Sequence, residues 1–296
     1  MLRLFCFGLG YTAKGFARAL LDGNSAGGWQ VAGTSRSVDG CAALTGSEIE
    51  AYLFDSDRPL DDASILEGTT HLLSSVPPSS GGDPVLRHHG ISIDSLPGLQ
   101  WVGYLSATSV YGDTAGDWVD ESTPCDPTTD RGRSRVAAEA EWQVRANEIG
   151  LPVHIFRLGG IYGPGRSALD QIRSGRATRI DRPNQLFSRI HIDDIVAVLQ
   201  ASMARPRPGT IYNVCDDMPA ASADVVAFAA ELLGIEPPPL IAFEDAGLSP
   251  MARSFYTDNR LVSNVRIKAE LGVNLRYPEF RTGLRHVFEQ EIATAP

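Results

Sequence analysis

Residues 104–139 read YLSATSVYGD (104–113), a polar loop that closes in ESTPCDP (121–127), and TTDRGRSRVAAE (128–139). The apolar run WVGYLSA (101–107) that leads in predicts a central strand buried on both faces. The strand runs out in a small polar cluster, Ser106 to Ser109, and a turn at Val110-Tyr111-Gly112. From Ser134 onward the pattern predicts a helix to residue 149, stopped by Gly150 and Pro152.

Working outward, short apolar strands are predicted at 2–7, 29–34, 50–54, 71–76 and 153–158. A helix over 12–22 places Ala13, Phe16, Ala17, Leu20 and Leu21 on one face. A weaker helix, 86–96, is broken by Pro97-Gly98. Strands alternating with helices imply parallel pairing, right-handed crossovers and an α/β doubly wound parallel sheet. After Gly163-Pro164-Gly165 the periodicity loosens through 166–190. It resumes in IHIDDIVAVLQASM (190–203), a strand at 211–214, a helix capped by Ser222, a helix from Asn264 to Gly272, and a last helix opened by Pro278. The expected organisation is a nucleotide-binding domain over 1–165 and a small α/β lid over 166–296, with 191–215 returning to the sheet.

The chain has 296 residues, a formal net charge of -10, and 43% hydrophobic and 21% charged residues. This balance suits a globular protein, and its sign argues against nucleic acid as a partner. Its apolar runs fall short of the roughly 20 residues that cross a bilayer, so no membrane span is expected. Cys6, Cys41, Cys125 and Cys215 are far apart and form no metal-ligand spacing. Reduced thiols in a cytoplasm are the simplest reading. Lys14 and Lys268 are the only lysines, so the basic residues are nearly all arginine.

Gly8-Leu9-Gly10-Tyr11-Thr12-Ala13 follows a strand and opens a helix, the context that a dinucleotide fingerprint requires. Gly8 permits the tight turn, Gly10 admits a pyrophosphate to the backbone N–H groups, and Ala13 keeps helix and strand close. The second strand ends Thr34-Ser35-Arg36 with no acid to hold a ribose 2′-hydroxyl or repel a 2′-phosphate. This favours NADP, with NAD as the alternative. Arg36 reads either as the 2′-phosphate partner or as a solvated loop residue. Asp55, after the third strand, reads either as an acceptor for the adenine amine or as a turn cap. Ser75-Val76-Pro77 forms a stiff rim at the end of the fourth strand.

With these motifs in view, the chain resembles the extended short-chain dehydrogenase/reductases, the NAD-dependent epimerase/dehydratase family. The resemblance runs through the fingerprint at 8–13, SVYGD (109–113), Glu121-Ser122-Thr123-Pro124 with Pro127, FRLGGIYGPGR (156–166), RIHIDD (189–194) and NRLVSNVRIKAELG (259–272). It implies a Rossmann fold, a nicotinamide cofactor approached by Leu158-Gly159-Gly160, and dimerisation through the helices at 83–96 and 134–149. With the first of those helices short and interrupted, monomer and homodimer both stand. It also implies a Tyr-x-x-x-Lys pair and a Ser or Thr that move a proton during hydride transfer.

Those positions hold other residues here. Counting from SVYG puts the hydroxyl position on Ala107; counting from Glu121 and Pro127 puts the Tyr on Arg131 and the Lys on Arg135. An arginine has no acceptor and stays protonated at neutral pH, so it cannot shuttle a proton. Thr108, next to the empty hydroxyl position, and Tyr111, in the SVYG turn, are the remaining candidates for that chemistry. Arg131 and Arg135, four apart at a helix start, suit a small anionic ligand. Against this stands a structural role, with Arg135 paired to Glu139 or Asp130. Three functions follow: an atypical oxidoreductase acting on an anion, a non-catalytic dinucleotide sensor, and a conventional nucleotide-sugar epimerase or dehydratase.

Overall fold

The computed structural model describes residues 1–23, 28–44 and 46–294. Seven strands form one sheet: β1 (Leu2–Phe7), β2 (Trp29–Ser35), β3 (Ile49–Leu53), β4 (His71–Ser74), β5 (Trp101–Ala107), β6 (Val153–Leu158) and β7 (Ile211–Val214). Their order is β7-β6-β5-β4-β1-β2-β3. The pairs β1/β2, β2/β3, β1/β4 and β4/β5 are parallel. Strand order therefore reverses beside β1, and the crevice at the carboxyl ends there is where a doubly wound sheet binds its ligand.

The chain divides into two compact units that are interleaved in sequence. The first comprises 1–107, 130–157 and 196–212; the second comprises 108–129, 158–195 and 213–296. In the first, Phe5, Phe7, Val102 and Tyr104 from the sheet pack with Val85, Leu86 and Ile93 from one helix and Ala138 and Trp142 from another. Burial of each such side chain stabilises by about 1.5–3 kcal/mol. In the second, Leu169, Val225, Ala229, Phe280 and Leu284 form a separate core.

Three helices of the first unit bear on the site. Helix α1 (Tyr11–Asp22) buries Ala13, Phe16, Ala17 and Leu20, at the spacing expected. Helix α2 (Pro84–Asp94) starts two residues before the predicted one, because Pro84 occupies its first turn and Asp83 caps the amides of Val85 and Leu86. Helix α3 (Asp130–Val144) begins a full turn before the predicted Ser134 and continues in a π turn over Arg145–Ile149 to a left-handed Gly150. Apolar periodicity missed its first turn, DRGR, because that turn carries almost no apolar side chain.

The second unit contains the elements hidden in 166–190. Ser167 and Asp170 form a reciprocal cap on Ala168–Arg173, and Arg189–His191 pairs in parallel with Gly160–Tyr162. Ser222 lies inside the helix Ser222–Leu232, which Ala221 precedes without a side-chain cap. The last helix starts at Phe280, two residues after Pro278. Among the described residues no helix is long and apolar enough to cross a membrane.

Candidate functional site

The glycine turn is built from below. Gly8 has φ +84°, and a Cβ there would sit 3.2 Å from Val76 Cγ2. Its N–H donates to Thr34 Oγ1 (2.8 Å), Leu9 N–H donates to the Thr34 carbonyl (2.7 Å), and Gly10 N–H donates to the Gly8 carbonyl (2.8 Å). The Ser75 hydroxyl donates to that same Gly8 carbonyl at 2.8 Å. A Cβ at Gly33 would lie 2.5 Å from the Cys6 carbonyl oxygen and 2.8 Å from Leu9 Cγ, so β2 and the turn touch only because residue 33 is glycine.

Above the turn the chemistry is open. Gly10 caps α1 with no side-chain hydrogen bond, and no acid stands in the first turn. A Cβ at Gly10 would meet no atom within 4 Å. A helix N-terminus presents partial positive charge, and here neither a cap nor a carboxylate neutralises it. Tyr11 is half-buried, while Thr12 and Ala13 are buried against the sheet. The turn therefore fits a pyrophosphate.

At the end of β2, Ser35 is half-buried and Arg36 exposed. Thr34 is fully buried and committed to Gly8, so its hydroxyl is not available to a 2′-phosphate. Asp55 accepts from Asp57 N–H (2.9 Å) and Arg58 Nη2 (3.0 Å). The Arg58 hydrogen bond, more than any other influence, holds its carboxyl below the usual range. Of the two readings of Asp55, the turn cap is the one these bonds describe. Ser75 and Val76 serve the glycine turn directly, and Pro77 is exposed.

At the end of β5 the first unit holds a buried charge cluster. Glu139 accepts the Ser106 hydroxyl at 2.5 Å and a forked pair from Arg157, with Nη2 at 2.7 Å and Nε at 3.1 Å. Glu139 and Arg157 are 5% and 4% exposed, so the pair is stable only because it is hydrogen-bonded on several sides. One turn earlier, half-buried Arg135 donates Nη1 to the Leu105 carbonyl at 3.1 Å. Arg131, another turn back, is exposed. The pairs expected for Arg135 do not form, because Glu139 is taken by Ser106 and Arg157 and Asp130 by Arg133 at 2.5 Å.

Sequence reading missed Ser106. It lies beside the empty position at Ala107, but side chains alternate along a strand, and its hydroxyl is buried against Glu139. Tyr104 is fully buried on β5, and desolvation pushes its hydroxyl further from deprotonation. Helix α3 contains neither tyrosine nor lysine; Lys268 instead pairs with Asp217 at 2.5 Å.

The remaining candidates belong to the second unit. Thr108 and Tyr111 lie in a 3₁₀ turn, Thr108–Tyr111. Tyr111 is 1% exposed and donates its hydroxyl to Asn213 Oδ1 at 2.7 Å, while Asn213 N–H donates to Glu121 Oε1 at 2.7 Å. A group so held suits packing better than proton transfer. Gly112, at φ +71°, has no room for a Cβ against the Asp126 carbonyl. Leu158 is buried; Gly159 N–H donates to the Val214 carbonyl (3.0 Å) and Gly160 N–H to the Ser188 carbonyl (2.9 Å). Asp194 does not serve its own helix: it accepts from Arg276 N–H (2.7 Å) and Tyr277 N–H (3.0 Å). Among the described residues no group of three or more His, Cys, Asp or Glu could hold a metal ion.

Sheet order, glycine turn and uncapped helix together define a doubly wound, dinucleotide-binding type of domain. A family model for the NAD-dependent epimerase/dehydratase family matches residues 97–215. Protein YeeZ of Escherichia coli K12 is 32% identical over 290 residues, covering 94% of this chain and 97% of that protein. The chain belongs to the NAD-dependent epimerase/dehydratase family. A solved structure of a functionally unknown conserved protein from Silicibacter pomeroyi is 50% identical, covers 98% of this chain and 99% of that one, and superposes with a TM-score of 0.87. The NAD complex of dTDP-glucose 4,6-dehydratase from Bacillus anthracis shares the fold, with a TM-score of 0.77 at 14% identity over 99% of this chain and 97% of that one.

Proposed function

We propose that the protein binds NADP(H) over the Gly8–Ala13 turn and acts as an atypical oxidoreductase on a small anionic substrate held by Arg131 and Arg135. Gly8, Gly10 and the first turn of α1 hold the pyrophosphate; Ser35 and Arg36 favour a 2′-phosphate over a free hydroxyl. A nicotinamide dinucleotide, when bound, supplies hydride transfer. NAD, present in the Bacillus anthracis complex, is the alternative cofactor. The observation that carries the reading is the course of α3. It starts at Asp130, is anchored by Glu139, and ties Arg135 to the carboxyl end of β5. Guanidinium groups at that edge can bind and orient a carboxylate or phosphate, and they cannot take a proton from it.

A second reading, a dinucleotide-binding sensor without turnover, draws on the commitment of the Ser106 hydroxyl to Glu139 and of the Tyr111 hydroxyl to Asn213. A conventional epimerase or dehydratase would need a Tyr-x-x-x-Lys pair on α3, and that helix has none. The discriminating experiment follows NADPH oxidation against a panel of small oxo-acids and phosphorylated carbonyl compounds. The oxidoreductase reading expects turnover whose KM rises about tenfold or more in Arg131→Ala, with NADPH affinity unchanged. Nucleotide binding without oxidation of any panel member, unaltered in Arg131→Ala, would leave the sensor.

A further inference from the structure

A buried ionic cluster in the first unit draws its three members from three different elements: Ser106 from β5, Glu139 from α3 and Arg157 from β6. Glu139 receives bonds from both neighbours on its two carboxylate oxygens. Along α3, residues 131, 135 and 139 are spaced by four, and each step turns the helix by only about 40° beyond a full turn. Whatever fixes the rotation of α3 at residue 139 therefore also fixes where Arg135 and Arg131 point. Arg135 is the next side chain along that face, and its Nη1 reaches the Leu105 carbonyl, one residue before Ser106.

We infer that Glu139 is a positioning residue: by clamping Ser106 and Arg157 it sets the rotation of α3 and so aims the Arg135 and Arg131 guanidiniums at the end of β5. Hydrophobic residues at all three positions would fill the same space and pack the helix as well. What the carboxylate adds is direction, because its bonds to Ser106 and Arg157 are satisfied at one helix rotation. The anion-binding consequence rests on the proposed function; the ordering of Arg135 does not.

The test uses the full chain with Glu139→Gln, and with Ser106→Ala as a milder variant that removes one neutral arm and leaves the ion pair intact. Two readouts are taken. Rotation of the Arg135 guanidinium about Nε–Cζ is followed by NMR of arginine-labelled protein, with the signal assigned through Arg135→Lys. Oxalate and inorganic phosphate are titrated onto the NADPH-saturated protein. Slow rotation in the wild type, fast rotation in Glu139→Gln and an intermediate rate in Ser106→Ala are expected. Oxalate affinity is expected to fall about tenfold in Glu139→Gln, with NADPH affinity within about twofold. Glu139→Gln combined with Arg135→Ala should be no weaker than Arg135→Ala alone, since both remove one contact. Unchanged Arg135 rotation in Glu139→Gln, or in Ser106→Ala should the first variant not fold, would overturn the inference. If rotation is freed as expected but the wild type binds neither anion, the clamp stands and the anion-binding reading fails.

Discussion

Gly8 and Gly10 sit two residues apart in one turn, yet they answer to different constraints. Gly8 has a positive φ and close neighbours, so a side chain there strains the fold. Gly10 faces open space, so Gly10→Ala is expected to fold, with Tm lowered by no more than about 4 °C, while nucleotide affinity drops roughly tenfold because the methyl occupies the pyrophosphate's approach. A thermal melt beside a fluorescence titration separates the two effects. Arg36→Asp should reverse cofactor choice, weakening NADPH relative to NADH by about ten- to a hundredfold, the worth of one charge-assisted hydrogen bond. A ratio left unchanged would make Arg36 a solvated loop residue. The glycine motif was legible because its signature, Gly8 to Ala13, is contiguous in sequence, although its partners Thr34 and Ser75 are not. The partners of Glu139 lie 33 and 18 residues away, on two strands, and no spacing rule reaches that far.

Among elements, α3 carries most of the account. Its sheet-facing residues, Arg135, Ala138, Glu139 and Trp142, follow helical spacing, but two of the four are charged. Hydrophobic periodicity therefore missed the first turn of the helix and placed its start at Ser134. The strands were easier to read: β1, β5 and β6 are mostly apolar, interrupted by Arg3, Ser106, His154 and Arg157, because both faces are covered over most of their length. The short pairs of the second unit, two or three residues each, carry too few side chains for alternation to register. Helix α2 is joined to α3 through Asp83, which caps Val85 and Leu86 and accepts Trp142 Nε1–H at 3.0 Å. Asp83→Ala removes all three bonds, and a loss of about 2–4 kcal/mol is expected in urea denaturation. A loss under about 1 kcal/mol would mean that α2 is held by its apolar face alone.

For the molecule as a whole, stability should fall on the acid side. His71 and His154 in the first unit and His191 in the second are buried, and desolvation lowers each to about 4 from an ordinary 6.5. All three are neutral, folded or unfolded, above pH 6.5. Between about 6.5 and 4 the unfolded chain takes up protons that the folded one refuses, so stability drops across that window. His154 shows why: its Nε2 accepts Arg207 N–H at 2.8 Å, a bond that protonation would abolish. Urea midpoints measured from pH 7.5 to 4.5 should decline, and less steeply in His154→Gln. Asp216 acts in the opposite sense. Burial raises it to about 8, so its contribution is full below pH 3.8 and is lost as pH rises through 8. Asp216→Asn should flatten the alkaline limb.

The interleaving of the two units follows from the sheet: segments 130–157 and 196–212 join the first unit, while the stretches between them supply the second. Alternating strands and helices announced the doubly wound sheet. That α3 carries no tyrosine and no lysine was legible too, since it needed only residue identities along 130–144. Where Arg135 is anchored was not, because Leu105 offers its backbone and side-chain identity says nothing about that. The most direct measurement is a titration of the full chain with NADPH, followed by nicotinamide fluorescence, with and without oxalate. Saturable binding, tighter than for NADH, is expected, and oxalate should strengthen it in the wild type and not in Arg131→Ala. No binding of either nucleotide, or binding indifferent to both oxalate and Arg131, would contradict it.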